Sequence, residues 1–197
     1  MSQIQRSVKM GIALSRLIQS LFGSRQARVV MVGLDAAGKT TILHQMAYGM
    51  TVETIPTMGF TLQTVKKGKL ELDVWDIGGQ SEFRNIWVHY YVDKHAAIFV
   101  VDAADHSKAR MEEARIALEG VLTAPELAGV PVLILANKQD IDGAMSGDTV
   151  ANMLNLQNVK DHEIKVVETV GTTGKGLDDA LKWLSAAVER YWKKSAE

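Results

Sequence analysis

Residues 28–40 read RVVMVGLDAAGKT, an apolar run that passes directly into a loop bracketed by glycines and closed by Lys39 and Thr40. No other stretch restricts the fold as tightly. GLDAAGKT (33–40) has the pattern G-x-x-x-x-G-K-[ST], which makes physical sense only between a strand and a helix. Gly33 and Gly38 let the backbone fold around a phosphate without Cβ clashes. The N–H groups from Asp35 through Ala36 and Ala37 to Thr41 point inward, aided by the amino end of the helix. Lys39 sets a positive charge against the β- and γ-phosphates, and Thr40 offers a hydroxyl to Mg2+. The loop alone leaves ATPases, GTPases and small-molecule kinases open.

More apolar, β-branched runs follow: AAIFVVD (96–102), VPVLILA (130–136) and HEIKVVETV (162–170). Runs apolar on both faces suit parallel strands covered by helices. Helical patterns lie between them, at 39–48, 107–122, about 147–155 and 177–192. The last carries Leu177, Leu181, Leu184, Val188 and Tyr191 on one stripe. This alternation predicts an α/β, doubly wound sheet with helices on both faces. FTLQTV (60–65) and LELDVWD (70–76), joined by KKGK, break the alternation and predict a hairpin, hence one antiparallel strand.

The 197 residues suit a single globular domain, and a net charge of -1 gives no sign of a nucleic-acid partner. The absence of cysteine excludes disulfides and thiolate metal sites and is compatible with the cytosol. No apolar run reaches the length of a membrane-spanning helix. Arg16 and Gln19 interrupt the apolar block that a signal peptide needs.

The third all-apolar run ends in NKQD (137–140), where ligands bind in open α/β sheets. Asp140 can accept from the N1–H and the exocyclic amine of guanine, a donor pair adenine lacks. Asn137 can tie this loop to the phosphate loop, and the stem of Lys138 can cover one face of the base. A backbone N–H from ETVGTTGKG (168–176) can reach the guanine O6. WDIGGQ (75–80) closes the hairpin. Asp76 is placed to hold Mg2+ through a water. Gly79 permits a close approach of its N–H to a γ-phosphate. Gln80 can orient an attacking water. Thr57, just before the hairpin, can complete the Mg2+ shell.

Together GLDAAGKTTIL, IPTMGF, WDIGGQ, FVVDAAD and NKQD resemble the motifs of the Arf (ADP-ribosylation factor) and Arf-like small GTPases, from Met10 to about Trp192. The resemblance implies a P-loop NTPase small-GTPase fold, with a six-stranded, mostly parallel sheet and an N-terminal amphipathic helix. It implies GTP and GDP with Mg2+ as ligands, and slow hydrolysis of GTP. It also implies a guanine-nucleotide exchange factor, an activating protein that supplies an arginine, and GTP-state effectors in vesicle trafficking at the Golgi or another endomembrane. Glutamine at position 80 favours Arf-type over Sar-type relatives. The family's effector-reading aromatic triad falls on Phe60, Trp75 and Tyr90. No arginine adjoins a motif where it could act in cis, so an activating arginine is expected in trans.

Two departures stand out. Val170-Gly171-Thr172 replaces the family's C-A-T or S-A-K turn, leaving Gly171 and Thr172 to serve the base from a floppier loop. Ile141-Asp142 replaces the usual Leu-Pro after NKQD, which loosens that turn. An Arf-like scaffold with little turnover is the main rival, opposed by the presence of Gln80 and Thr57. An ATP-using phosphoryl transferase is opposed by Asp140.

The chain divides into residues 1–9 as an extension, 10–23 as an amphipathic helix and 24–197 as the G domain. In helical projection Met10, Ala13, Leu14, Leu17, Ile18 and Leu21 share a face, which suits either a membrane surface through residues 10–22 or docking on the domain. The family's switch uses both, expelling the helix when the hairpin slides in register. That slide must be an even number of residues, because a slip of one inverts every side chain. Gly11 lies 22 positions before Gly33, the family's spacing for an acylated glycine. Gly11 can be acylated only if translation starts at Met10. Residues 1–9 read as one of three things: a mis-assigned start, an added tag, or a true variant that abolishes acylation.

Overall fold

The computed structural model describes residues 25–49, 59–67 and 70–196. Strand β1 (Arg25–Val32) is buried on both faces: Val29 and Met31 point one way, Val30 and Val32 the other. A strand so placed needs cover on each side, and the remaining elements supply it. The other strands are β2 (Phe60–Lys67), β3 (Leu70–Ile77), β4 (Ala96–Asp102), β5 (Val132–Asn137) and β6 (Ile164–Glu168), in the sheet order β2-β3-β1-β4-β5-β6. Among the described strands only β2 runs antiparallel, with Phe60 opposite Ile77 and Leu62 opposite Trp75. The other pairings are parallel, as expected.

Helices α1 (Lys39–Tyr48), α2 (Lys108–Leu122), α3 (Gly147–Met153) and α4 (Leu177–Lys194) form the outer layers. Ile42 and Leu43 of α1 and Leu184 and Val188 of α4 pack with Met31, Val65, Leu72 and Ile98 on one face. Met111, Leu118 and Val121 of α2 and Val150 of α3 pack with Val30, Phe99, Val101 and Ile134 on the other. The side-chain hydroxyls of Ser107 and Ser146 cap α2 and α3 by accepting from Arg110 N and Thr149 N. The predicted stripe of α4 is buried at Leu177, Leu181, Leu184 and Val188, and Tyr191 packs at the edge of the opposite cluster.

Three of the differences from the sequence expectation have a local cause. β5 begins at Val132 because Pro131 has no N–H to give the ladder, although its carbonyl accepts from Ala97 N. β6 is shorter than residues 162–170 because the His162 ring turns to the Val130 and Leu122 carbonyls, each at 2.9 Å. The 3-10 helix Ser81–Tyr90 was not expected. Its side chains repeat every three residues, so Arg84, Trp87 and Tyr90 share one edge, a spacing that the 3.6-residue pattern does not register. The proposed helix at 10–23 and the extension at 1–9 lie outside the described residues.

The Phe99 side chain is fully buried in the sheet centre, whereas Ile116 on α2 is 56% exposed. Phe99→Ala should lower the unfolding free energy by roughly 3–5 kcal/mol, and Ile116→Ala by under about 0.5 kcal/mol, in denaturant titrations.

Candidate nucleotide site

The phosphate loop leaves β1 at the crevice where the sheet order reverses: β3 lies on one side of β1 and β4 on the other. Its two glycines are required by the protein's own packing. At Gly33 (φ +143°) a Cβ would lie 2.3 Å from the Val100 carbonyl oxygen. At Gly38 (φ +94°), the N-cap of α1, it would lie 2.4 Å from Asn137 Nδ2. Ala36 also holds a left-handed conformation, at φ +59°, a strained choice for a residue with a Cβ. The loop thereby curls until Lys39 Nζ donates to the carbonyls of Gly33 and Leu34, both at 2.9 Å. Burial pushes the Lys39 ammonium down to about 8, against the opposing pull of the Asp76 and Asp35 carboxylates. Thr40 and Thr41 follow in the first turn of α1.

Thr40 Oγ1 donates to Asp76 Oδ2 at 2.6 Å, and Asp76 is fully buried at the end of β3. A hydroxyl and a carboxylate side by side are a hard-oxygen set. They fit Mg2+, which keeps waters and takes phosphate oxygens for the rest of its shell. Such an ion neutralises charge on the phosphates. Thr57, expected to complete that shell, lies outside the described residues.

Gly79 is pressed onto the phosphate loop as its lack of a side chain predicts: a Cβ there would lie 2.3 Å from the Gly33 carbonyl oxygen. The hydrogen bond formed is made by its carbonyl, which accepts from Asp35 N at 3.1 Å. Trp87 Nε1 donates to the neighbouring Gly78 carbonyl at 2.9 Å. Gln80 follows, half-buried, as the N-cap of the 3-10 helix.

Asn137, 2% exposed, joins three loops. Its Nδ2 donates to the Ala37 carbonyl at 2.9 Å, as the sequence led us to expect. Its Oδ1 accepts from Gly171 N at 2.9 Å and Thr169 Oγ1 at 3.3 Å. Gly171 therefore uses its N–H within the protein. It also packs so closely that a Cβ would lie 2.9 Å from Ile42 Cγ1. The turn that carries Thr172 is closed by hydrogen bonds: Val170 N donates to the Lys175 carbonyl and Gly174 N to the Val170 carbonyl. The turn after NKQD is hydrogen-bonded as well. Ile141 N donates to the Lys138 carbonyl, and Gln139 Nε2 reaches the Met145 carbonyl at 2.8 Å. Lys138 sits at φ +70° and pairs with Asp102 Oδ2 at 2.5 Å, which fixes the course of its stem. Asp140 stands exposed at the tip.

Phe60, Trp75 and Tyr90 do meet. Their ring centroids lie 5.1 Å (Phe60–Trp75), 5.3 Å (Phe60–Tyr90) and 6.1 Å (Trp75–Tyr90) apart. Phe60 is 47% exposed, so the cluster is an outward surface as well as packing. Lys94 Nζ lies 4.9 Å from the Trp75 ring centroid.

Sequence reasoning missed Asp102, Gln139 and a set of charged groups around Asp35. The position of Asp102 at the carboxyl end of an apolar strand was the available signal for the first. For the last there was little signal, because Arg84 and Arg110 are distant in sequence. Although neither adjoins the phosphate loop in the chain, both reach it in the fold: Arg110 Nη2 lies 2.8 Å and Arg84 Nη2 3.6 Å from Asp35 Oδ1.

A phosphate loop, an oxygen pair suited to Mg2+ and an NKQD loop tied in by Asn137 lie together at the carboxyl ends of the strands of this six-stranded sheet. Together they define a small GTPase. The sequence model described as "ADP-ribosylation factor family" matches residues 14–188, and the chain belongs to that family. It is similar to the Arl6 BBS3 small GTPase from Trypanosoma brucei, whose structure holds the nucleotide analogue GppNp. The identity is 32% and the TM-score 0.76, over 85% of this chain and 99% of that one. Family membership makes it a GTP-binding switch that takes GTP or GDP with Mg2+ and hydrolyses GTP.

Lys39 supplies a pH test. Polyphosphate favours its charged form and raises its pKa again. Affinity for GDP should therefore be full below pH 8 and fall as the pH climbs from about 8 toward the ordinary lysine range. At pH 8, calorimetry in buffers of different ionisation enthalpy should register uptake of roughly half a proton per GDP bound. Proton release, or none at all, would contradict the buried-lysine account.

Proposed function

We propose that this chain is a GTP-timed switch that recruits effector proteins to membranes in vesicle trafficking, cycling between the cytosol and the Golgi or another endomembrane. The supporting observation is where the aromatic cluster stands. Trp75 directly precedes Asp76 in β3, and Tyr90 ends the 3-10 helix that starts after Gln80. Any rearrangement of residues 76–80 is therefore passed at both ends to the surface that carries Phe60, Trp75 and Tyr90. A compact, half-exposed aromatic group is the kind of anchor a partner protein buries.

In this reading Gly33, Asp35, Ala36, Ala37, Gly38, Lys39, Thr40 and Thr41 cradle the phosphates. Thr40 and Thr57 hold Mg2+ directly and Asp76 holds it through water. Asn137, Lys138, Asp140, Gly171 and Thr172 surround the guanine, with Asp140 taking its N1–H and amine. Gly79 gives its N–H to the γ-phosphate, and Gln80 orients the attacking water. An exchange factor loads GTP. An activating protein supplies the arginine, since the guanidinium groups of Arg84 and Arg110 are engaged by Asp35 and Glu113. Gln80→Leu should slow single-turnover hydrolysis by about 100-fold or more while leaving GTP affinity within a few-fold. Equal rates for parent and variant would end the timer reading.

Membrane contact is assigned to residues 10–22, within an N-terminal helix at 10–23 that follows the extension at 1–9 and precedes the G domain at 24–197. Among the described residues no helix is long and apolar enough to cross a membrane. The apolar stripe at 10–22 suits a membrane surface. Acylation of Gly11 requires that translation start at Met10. Protein from its native source, loaded with a non-hydrolysable GTP analogue, should float with liposomes, whereas the GDP form or a chain lacking residues 1–23 should not. Flotation that ignores the nucleotide would remove the switch from the proposal.

A further inference from the structure

Asp35 places a carboxylate in the phosphate loop, directly before the left-handed Ala36, where polyphosphate must approach. An uncompensated acid there repels every ligand that the loop is shaped to take. The fold meets it with a guanidinium from another element. Arg110, in the first turn of α2, directs Nη2 to Asp35 Oδ1 and to the Asp35 main-chain oxygen, each at 2.8 Å. One planar group thus grips both the side chain and the backbone of one loop residue, and the carboxylate is turned toward α2. The arginine is itself fixed. Its main-chain N donates to the capping Ser107 Oγ at 3.3 Å, and its Nη1 bonds Glu113 at 2.9 Å. Arg84 Nη1 meets Glu113 at 2.7 Å, and its Nη2 stands 3.6 Å from Asp35 Oδ1, so acids and arginines alternate around a ring. Of the two arginines, Arg110 makes the shorter and double contact with Asp35.

Burial works to raise Asp35 and to lower Arg110. Their mutual hydrogen bonds and charges reverse both, leaving the Asp35 carboxyl below its ordinary value and the Arg110 guanidinium above it. The same charges are felt at the phosphate-binding lysine. Burial lowers Lys39 most and Asp76 opposes it most; beyond these, Asp35 favours its charged form while Arg84 and Arg110 disfavour it. Groups that act through space on the Lys39 ammonium act with opposite sign on a polyphosphate seated against it: Asp35 repels and the arginines attract.

We propose that Arg110 is a positioning residue for phosphate binding: by pairing with the Asp35 carboxylate and carbonyl, it neutralises the acid that the phosphate loop carries and holds it away from the phosphates of GDP and GTP alike. It acts through Asp35 and needs no contact with the nucleotide. The inference rests on the nucleotide site described above and is independent of the membrane role.

The test titrates the full chain with GMP, GDP and a non-hydrolysable GTP analogue in the presence of Mg2+. At low ionic strength Arg110→Ala should weaken GDP roughly tenfold, GMP by less and the analogue by more, because the uncompensated Asp35 charge then acts on each added phosphate. The Asp35 side chain is 44% exposed and that of Arg110 28%, so salt reaches the pair. The defect should therefore shrink severalfold between about 0.01 M and 1 M salt. Arg110→Met, which keeps the stem but loses the charge and the fork, should behave as Arg110→Ala does. In an Asp35→Asn background Arg110→Ala should cost roughly threefold or less, since no carboxylate is left to neutralise. A defect that is equal for the three nucleotides, indifferent to salt or as large in the Asp35→Asn background would make Arg110 a packing residue and overturn the proposal, as would no defect at all. Should Arg110→Ala fail to fold, Arg110→Met, alone and with Asp35→Asn, decides it by the same criteria. A parent chain that binds no GDP would instead remove the nucleotide site itself, and the inference with it.

Discussion

The site depends on one carboxamide. Asn137 donates to the phosphate loop at Ala37 and accepts from Gly171 and Thr169, so a single buried side chain sets the spacing of three loops, reaching 100 positions back in sequence and 32 and 34 positions forward. A buried amide with both ends satisfied is rigid, because breaking either bond strands a polar group away from water. The glycines obey the same constraint. Gly38 has no Cβ because Asn137 Nδ2 fills that space, and Gly171 has none because Ile42 lies against it. Residues that read as phosphate-binding in the sequence are thus also spacers for the joint.

Opposite this joint lies the segment that links the phosphate loop to the aromatic cluster. From Trp75 to Tyr90 the chain passes from a sheet strand through Asp76, Gly78, Gly79 and Gln80 into a 3-10 helix, and both of its ends meet at Phe60. Its hold on the phosphate loop consists of main-chain contacts at Gly79, the Thr40–Asp76 bond and partly exposed ion pairs at Arg84. Each is a single polar contact of modest net worth. The core beneath is apolar and close-packed, and costly to disturb. A strong frame with a weakly tethered segment is the physical requirement for a switch: ligand charge can reorder the segment without unfolding the sheet.

Much of this was legible in the sequence. The run AAIFVV is apolar at every position, and β4 is buried from Ala96 to Val101. The hairpin emerged as an antiparallel pairing in the sheet because its period-two alternation differs from the all-apolar pattern of the buried strands. The strand–loop–helix context of GLDAAGKT placed the phosphate loop, and NKQD placed the amide that binds it. The 3-10 helix was not legible, because its three-residue repeat carries no recognised apolar period. The expectations of slack around Gly171 and Ile141 came from comparison with family motifs. In the fold both turns are closed by local hydrogen bonds at Val170, Gly174, Ile141 and Gln139.

The sequence by itself determined the alternation of strands and helices, the phosphate loop and the base-reading tetrad. These are local signals, each written within a dozen residues whose spacing has one physical use. Only the tertiary structure decided which charges face one another. Asp35, Arg84, Arg110 and Glu113 come from a loop, a 3-10 helix and α2, and nothing in their spacing announces that they share a ring. Lys138 meets Asp102 for the same reason: adjacent parallel strands bring Asn137 level with Asp102 and carry the lysine just beyond it. Periodicity is a property of neighbours in the chain, whereas ion pairs form between neighbours in space, and the sheet order is what converts one into the other.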